Sequence, residues 1–565
     1  MILQALYEYY QRKAEDSESG IAPEGWEWKE IPFLVVIDRE GNFLRFEDTR
    51  EGEGRIRRAK RFLVPQGEKR TIGIKAFLLW DNVEYVLGAN PRQRNDIVLR
   101  QESFRKRVEG LSAEHEEIQS VLNFLKNNPL DQVERANSPY WKEIIEGNVF
   151  VTFRIESSSV NCVCELLPRS MFKYEHSDGG CCLVTGDRAS AARLHPALKG
   201  VRGANTTGAS IISFNLPSFC SYGKEQSENA PVGPAAAFAY TTALNVLLGK
   251  DSRNKVGIGD ATVVFWTQKL MPGVNFEDSF SSMFRIDKED TDRGVAAVKS
   301  LFEAPATGRL PLDEGNRFYV LGLAPNAARI SVRFWKTGTV GEFSERIRQH
   351  FIDFEIVRSS KDPEFLSLYQ ILCNTVLEYK MDNVPPKLAG DVVVSVLDGT
   401  PYPRTLLQQC MRRVRAERHV PRTRAAILKA SINRFNRFYN KGAKEVLVAL
   451  DRSNNDAGYR MGRLFAVLEK MQEEALGVET IRERFYGAAS STPVTVFPRL
   501  IKLSAHYLAK LHPGRKVNLE REMQEVLSEV QKFPAQFTLD AQAMFAIGYY
   551  HQRQDFFTKK DTDNK

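Results

Sequence analysis

Two groups of side chains have types and spacings that could do chemistry at a metal. Asp362, followed by Glu378-Tyr379-Lys380, offers an acid and an E-x-K, a set that could hold Mg²⁺ with a lysine beside it, as in a metal-dependent nuclease. The surrounding residues argue against it. Phe365, Leu368, Ile371, Leu372 and Val376 recur at helical spacing, which predicts a helix over 364–380, whereas such nucleases carry these groups on adjoining strands. The acids then read as groups that cap and solubilise a helix. Cys162-x-Cys164, His176 and Cys181-Cys182 are the second group, with soft donors for zinc. Zinc ribbons favour paired C-x2-C knuckles, while a C-x-C on a strand puts both thiols on one face without the knuckle turn. Buried free thiols are the expectation and zinc the alternative. The eight histidines make no H-E-x-x-H, and neither a G-x-S-x-G elbow nor a Gly-x4-Gly-Lys-Ser/Thr loop occurs. Gly257-Ile258-Gly259-Asp260 lacks the helix that a dinucleotide fingerprint needs. No catalytic residue, cofactor or metal is expected.

Arginine is the residue type with the clearest clustering. The chain has 565 residues and a net charge of +8, which by itself says only that anionic partners are allowed. Residues 404–444 hold twelve Lys/Arg, among them Arg412, Arg413, Arg415, Arg418, Arg422 and Arg424, against Glu417 alone, a net of +11. Residues 55–75 hold Arg55, Arg57, Arg58, Lys60, Arg61, Lys69, Arg70 and Lys75 against Glu68, a net of +7, so the remainder of the chain is at −10. Positive charge concentrated in an otherwise acidic chain is the footprint of a backbone-tracking nucleic-acid binder, and the planar arginine fork grips phosphate or guanine edges in pairs of hydrogen bonds. In 404–444 the stripe Leu428, Ile432, Phe435 and Tyr439 is expected to be buried and the arginines splayed outward. Between the blocks, the glycines of 193–208, with Lys199, Arg202 and Asn205, allow backbone N–H groups to approach a phosphate; a tight polar turn explains the segment equally well.

The elements that position these groups suit an α+β protein of about three units: an α+β region over 1–135, a central α+β domain over 136–400, and helices over 401–565. Ile2, Leu3, Leu6, Tyr9 and Tyr10 lie on one side of an N-terminal helix. Residues 32–38 and 43–46, joined by a glycine-containing turn, read as a hairpin, and 76–80 as a further strand. Strands are expected at 149–155, 209–214, 256–266, 316–322, 329–335 and 391–397. Helices are expected at 404–419, 422–439, 456–476, 494–511, 515–533 and 538–555, with Met461, Leu464, Phe465, Leu468 and Met471 as a buried stripe and Arg463 off it. The apolar run 233–248 is shorter than the ~20 residues that cross a bilayer, no signal peptide opens the chain, and the seven cysteines fit a reducing cytoplasm.

Several strings carry a family resemblance in their order along the chain: Met1-Ile2-Leu3-Gln4-Ala5-Leu6-Tyr7; Cys182-Leu183-Val184-Thr185-Gly186 running on to Arg193-Leu194-His195-Pro196 and Lys199-Gly200; Ser213-Phe214-Asn215 with Ser221-Tyr222-Gly223-Lys224; and 458–466. Together they resemble the large subunit of the type I-C CRISPR Cascade surveillance complex, over nearly the whole chain. The doubled Cys181-Cys182 departs from the pattern, where only the second cysteine is expected. The resemblance implies a non-catalytic, cytoplasmic subunit in antiviral defence, partnered by guide RNA and the other Cascade subunits. Such a subunit reads the protospacer-adjacent motif (PAM) in double-stranded DNA, aids duplex opening, and guides the displaced strand toward a separate helicase-nuclease. Because guide pairing supplies most of the specificity, the protein need read only a few base pairs and hold phosphates. Set beside the charge map, this makes Gln66, Gly67, Lys69, Arg70, Thr71, Gly73 and Lys75 the PAM candidates. Arg55, Arg57, Arg58, Lys60 and Arg61 become flanking backbone contacts, joined by Lys199, Arg202, Asn205 and Lys224, and Arg412 to Arg424 become displaced-strand contacts. The resemblance also implies that the C-terminal bundle is similar to the small subunit, which an internal start at Val446 or Met461 could produce separately. The alternatives are a nuclease built on Asp362 and Glu378 and an assembly protein whose arginines hold guide RNA.

Overall fold

The computed structural model describes residues 1–52, 57–68, 70, 73–111, 115–174, 179–269, 276–284, 315–478 and 480–557. The chain divides into two compact units. The first comprises 1–200, 204–250 and 326–330; the second comprises 201–203, 251–325 and 331–565.

The first unit opens with α1 (Ile2–Glu15), which buries Ala5, Leu6, Tyr9 and Tyr10. Its four-stranded sheet has the order β3-β2-β6-β5, and a two-stranded ribbon pairs β1 (Trp26–Glu30) with β4 (Arg61–Pro65). Strand β2 (Phe33–Ile37) lies inside the sheet, and all five residues are buried, as a strand covered on both faces requires. It forms the expected hairpin with β3 (Phe43–Asp48). The hairpin turn rests on a helix: Gly41 has φ 91°, and a Cβ there would sit 2.7 Å from the Ser120 carbonyl oxygen. Residues 76–79 are not a strand; Trp80 opens β5 (Trp80–Asn82). Helices α2 (Val83–Val86), α3 (Ile97–Glu109), α4 (Glu116–Lys126), α5 (Pro129–Arg135) and α6 (Trp141–Gly147) follow. β6 (Phe150–Ile155) then returns to pair in parallel with β2, so the sheet continues past residue 135. The run 234–247 is α7, and its Phe238 meets Tyr10 edge-on at 5.6 Å. In place of a strand over 209–214, only single bridges form, Leu198 to Ala209 and Ser210 to Arg329.

The second unit has a sheet of order β10-β9-β8-β7, built from β7 (Lys255–Ile258), β8 (Ala261–Thr267), β9 (Arg317–Asn326) and β10 (Arg329–Thr339). Helices α8 (Phe276–Phe284), α9 (Val340–Phe354), α10 (Leu368–Cys373) and α11 (Pro386–Asp398) accompany it. The run 391–397 therefore lies in a helix rather than the expected strand. Pro386 starts it, Gly399 ends it at φ 71°, and a continuous valine run has no period of its own to tell a buried helix from a buried strand. The helical third consists of α12 (Arg404–Glu417), α13 (Arg422–Phe438), α14 (Ala457–Leu476), α15 (Thr480–Ala489), α16 (Pro493–Leu508), α17 (Pro513–Leu527) and α18 (Leu539–Asp555). All the expected helices are present; α15 is additional. One hydrophobic core runs from Val256 to Tyr550, so residue 400 does not bound a core either.

Candidate nucleic-acid interface

The first basic block leads into β4 and the loop after it. Arg57, Arg58, Lys60 and Arg61 are exposed. Arg57 lies 3.5 Å from Asp48, the Lys60 ammonium lies over Phe62 at 5.7 Å, and the Arg61 guanidinium lies over Trp28 at 5.9 Å. Cations loosely held on aromatic faces at the surface remain available to phosphates. Arg55, Lys69 and Thr71 lie outside the described residues.

In the loop itself, the Gln66 N–H donates to the Gly25 carbonyl and its side chain accepts from the Tyr174 hydroxyl at 3.2 Å. The Gly67 N–H donates to Glu27 at 3.0 Å, and a Cβ there would press on the Phe77 ring at 2.9 Å. Lys75 pairs with Glu68 at 2.7 Å, and Gly73 takes φ 82° with open space around it. Arg70 points inward. Its guanidinium stacks between Phe77 at 3.7 Å and Tyr85 at 4.0 Å, donates to the Lys75 carbonyl and pairs with the buried Asp81. Burial pushes the Asp81 carboxyl up, while Arg70 and the Phe77 and Asn82 N–H groups hold it down. Arg70 therefore holds Lys75 and Asp81 from inside, through its Nε and Nη2 donors.

A lysine outside both blocks, on β1 opposite Phe62 of β4, is half-buried. The Lys29 ammonium lies 3.9 Å from the centre of the Phe150 ring and 5.1 Å from that of Trp80. Burial lowers its pKa, opposed by Glu27 and Asp81 and reinforced by the positive charges of Lys199 and Arg70. Lys29 sits in W-E-W-K-E, where Glu27 and Glu30 outweigh it and leave a net charge of −1. The Lys199 N–H is fixed by Asn245 at 2.9 Å. Arg202 is exposed, with its N–H donating to Thr262; Asn205 turns inward on its own loop, accepting from the Thr207 N–H and hydroxyl; Lys224 is exposed on the loop after Tyr222.

In the second block Arg404, Arg412, Arg415, Arg418 and Arg437 are exposed, but most of the arginines are bonded within the chain. Arg424 is 0% exposed and bonded to Glu417 at 2.6 Å and to the Asn374 carbonyl at 3.0 Å. Lys429 donates to the Asp353 carbonyl, and Arg434 to the Tyr402 hydroxyl and the Ser395 carbonyl. Arg413 pairs with Glu417, Arg415 bonds Gln542, Arg418 the Glu483 carbonyl, and Arg422 the carbonyls of Pro363 and Glu364. The expectation of a splayed face is corrected for Arg424, Lys429 and Arg434, because α13 is buried from Arg424 to Arg434; Arg404, Arg412, Arg415, Arg418, Arg437, Lys441 and Lys444 are exposed, and so is Tyr439, expected to be buried. Arg412 remains exposed on α12. Arg463, expected off the buried stripe, is likewise 0% exposed and bonded to Glu525 and Gln552.

The remaining groups do local work. Asp362 accepts from the Ser359 N–H at 3.0 Å, and Glu378 pairs with Lys380 at 2.5 Å. The expected helix over 364–380 shortens to α10, with left-handed backbone at Glu378 and Tyr379. Cys162 and Cys164 are buried in a 3₁₀ turn rather than on a strand, near the Thr152 hydroxyl, and Cys182 accepts from the Gly233 N–H. All seven cysteines are free, and His176 lies outside the described residues. Among the described residues, no His/Cys/Asp/Glu group is placed to hold a metal.

The profile of the family described as CRISPR-associated protein (Cas_Csd1) matches residues 6–557. The chain belongs to this family. The match runs through both units, so the exposed cations near Lys29 and the helical third are both parts of a Cas_Csd1 protein. No curated protein matches the chain. Among the described residues, no helix is long and apolar enough to cross a membrane.

Proposed function

We propose that the chain is the large subunit of a type I-C Cascade surveillance complex, partnered by guide RNA and the other subunits. Its first unit reads the PAM in double-stranded DNA, and the protein helps open the duplex, holds the displaced strand and recruits a helicase-nuclease, without cleaving DNA itself. The observation that carries this reading is the exposed basic surface of Arg57, Lys60 and Arg61 in a Cas_Csd1 chain. Phosphate contacts from such a surface fix register on the duplex, and the 66–75 loop, shaped from inside by Arg70, is the element that enters the groove.

The test is duplex binding by the guide-loaded complex carrying Arg57→Gln, Lys60→Gln and Arg61→Gln. Loss of three phosphate contacts should lower the log–log salt slope by about 2.7, while a single-stranded target complementary to the guide still binds. An unchanged slope and unchanged PAM preference would refute the assignment, and complexes that fail to assemble would favour the guide-RNA reading. DNA cleavage by the purified chain with Mg²⁺, abolished by Glu378→Ala, would replace it with the nuclease.

A further inference from the structure

The second unit carries a basic surface outside both arginine blocks. Residues 484–519 include Arg484, Arg499, Lys502, Lys510, Arg515 and Lys516 and no Asp or Glu. Helix α16 faces the core through Val496, Phe497, Leu500, Ser504 and Leu508. Arg499, Lys502 and His506 fall on its other side, Lys510 lies two residues past its end, and all four are exposed. At 100° per residue the three helical positions lie within about 60° of one another, with rises of about 4.5 and 6 Å between them, a stripe one side chain wide and about 10 Å long that Lys510 follows.

The partners of these cations set them apart. Elsewhere in the helical third, Arg515 pairs with Glu474 at 2.7 Å, Arg553 with Glu473 at 2.8 Å, and Arg452 with Glu522, Glu525 and Asp555. Among the described residues, no carboxylate comes within ion-pair distance of Arg499, Lys502 or Lys510. Arg499 is steadied instead by the Phe485 ring of α15, 5.5 Å away, next to the exposed Arg484. Between the cations the face exposes small residues, Thr495, Ala505 and Ala509. An exposed row rich in lysine and without an aromatic anchor lacks the marks of a protein interface.

We infer that the outer face of α16 holds the phosphodiester backbone of a single nucleic-acid strand, without regard to sequence. The inference rests on the proposed function and gives the displaced strand a track on α16, because several exposed cations of 404–444, such as Arg404, Arg415, Arg418 and Arg437, are already bonded to neighbours in the chain. A line of point charges on a rigid helix suits a strand passing along it and contributes electrostatic affinity through counterion release.

The experiment measures binding of a fluorescent oligothymidine to the full chain between about 50 and 200 mM salt, comparing wild type with Lys502→Gln/Lys510→Gln. Two lost phosphate contacts should reduce the log–log slope by about 1.4, with the thermal midpoint unchanged and Lys502→Arg/Lys510→Arg restoring the slope. A wild-type slope in the Gln variant overturns the inference. So does wild-type strand binding in a Gln variant that no longer joins the other subunits, which would mark the face as a protein contact. If the wild-type complex binds PAM duplex while the wild-type chain ignores oligothymidine, this inference fails and the proposed function stands. A wild-type complex that binds no duplex removes the proposed function.

Discussion

At the scale of single residues, the same side chain does opposite jobs according to its partners. Arg412 and Arg424 lie twelve positions apart in one basic run, yet one faces water and the other is closed in by Glu417, Asn374, His419 and Tyr379. Removing Arg424 leaves Arg413 on Glu417 but takes the donor from the Asn374 and His419 carbonyls and empties a buried site, at a cost of about 1–3 kcal/mol. Arg424→Ala is therefore expected to lower the urea midpoint sharply, whereas Arg412→Gln leaves it unchanged. Equal midpoints for the two variants would contradict the burial argument. The sequence shows both as arginines in a basic run. The groups that draw cations into the fold, such as Asp353 for Lys429, Arg434 and Arg437, stand about eighty positions upstream, beyond any local pattern. Lys29 escaped notice for the opposite reason, since its neighbours outweigh its charge.

At the scale of elements, helices were legible where proline and glycine punctuate them, as with Pro493 and Pro513 at helix starts and Gly477 after α14. Two of the misread elements have separate causes: the valine run 392–394 hides the helical period of α11, whose Lys387, Asp391 and Asp398 lie on its outer face, and the short α15 carries Arg482, Glu483 and Arg484 in its first turns, which masks its apolar face. Pairing between helices was not legible. Helices α14 and α18 approach closely because Gly458, Gly462 and Gly548 have no side chains. A Cβ at Gly462 would overlap the Phe545 carbonyl oxygen, and one at Gly548 the Tyr459 carbonyl oxygen. Gly462→Val is expected to push the pair apart and cost about 1–3 kcal/mol or more, read as a lowered thermal midpoint. A midpoint equal to wild type would show that the crossing tolerates side chains.

At the scale of the molecule, both units bury histidines against tyrosines. The hydroxyls of Tyr240, Tyr402 and Tyr459 lie 2.6, 2.7 and 2.9 Å from Nδ1 of His195, His350 and His551. Burial lowers His195 to about 4, and His350 and His551 to about 3. These values lie below the ~6.5 of an unfolded histidine, so in the interval the unfolded chain binds protons that the folded chain refuses. Their contribution to stability is complete above about pH 6.5 and is lost as pH falls toward 4, by ~1.4 kcal/mol per pH unit for each histidine. The thermal midpoint should fall between about pH 7 and pH 5; a level profile would mean that the pairs already carry the proton.

One of these pairs bears on where a shorter polypeptide could begin. Asp456 caps α14 by accepting from the Tyr459 N–H at 3.0 Å, and the Tyr459 hydroxyl donates or accepts at His551 and accepts from the Asp451 N–H. Translation begun at Met461 would discard the cap, the tyrosine and Gly458, leaving the first turn of the helix frayed and His551 without its companion. Initiation at Val446 keeps all three. Of the two reading-frame starts that the resemblance offers for a small-subunit product, the fold accommodates the valine codon.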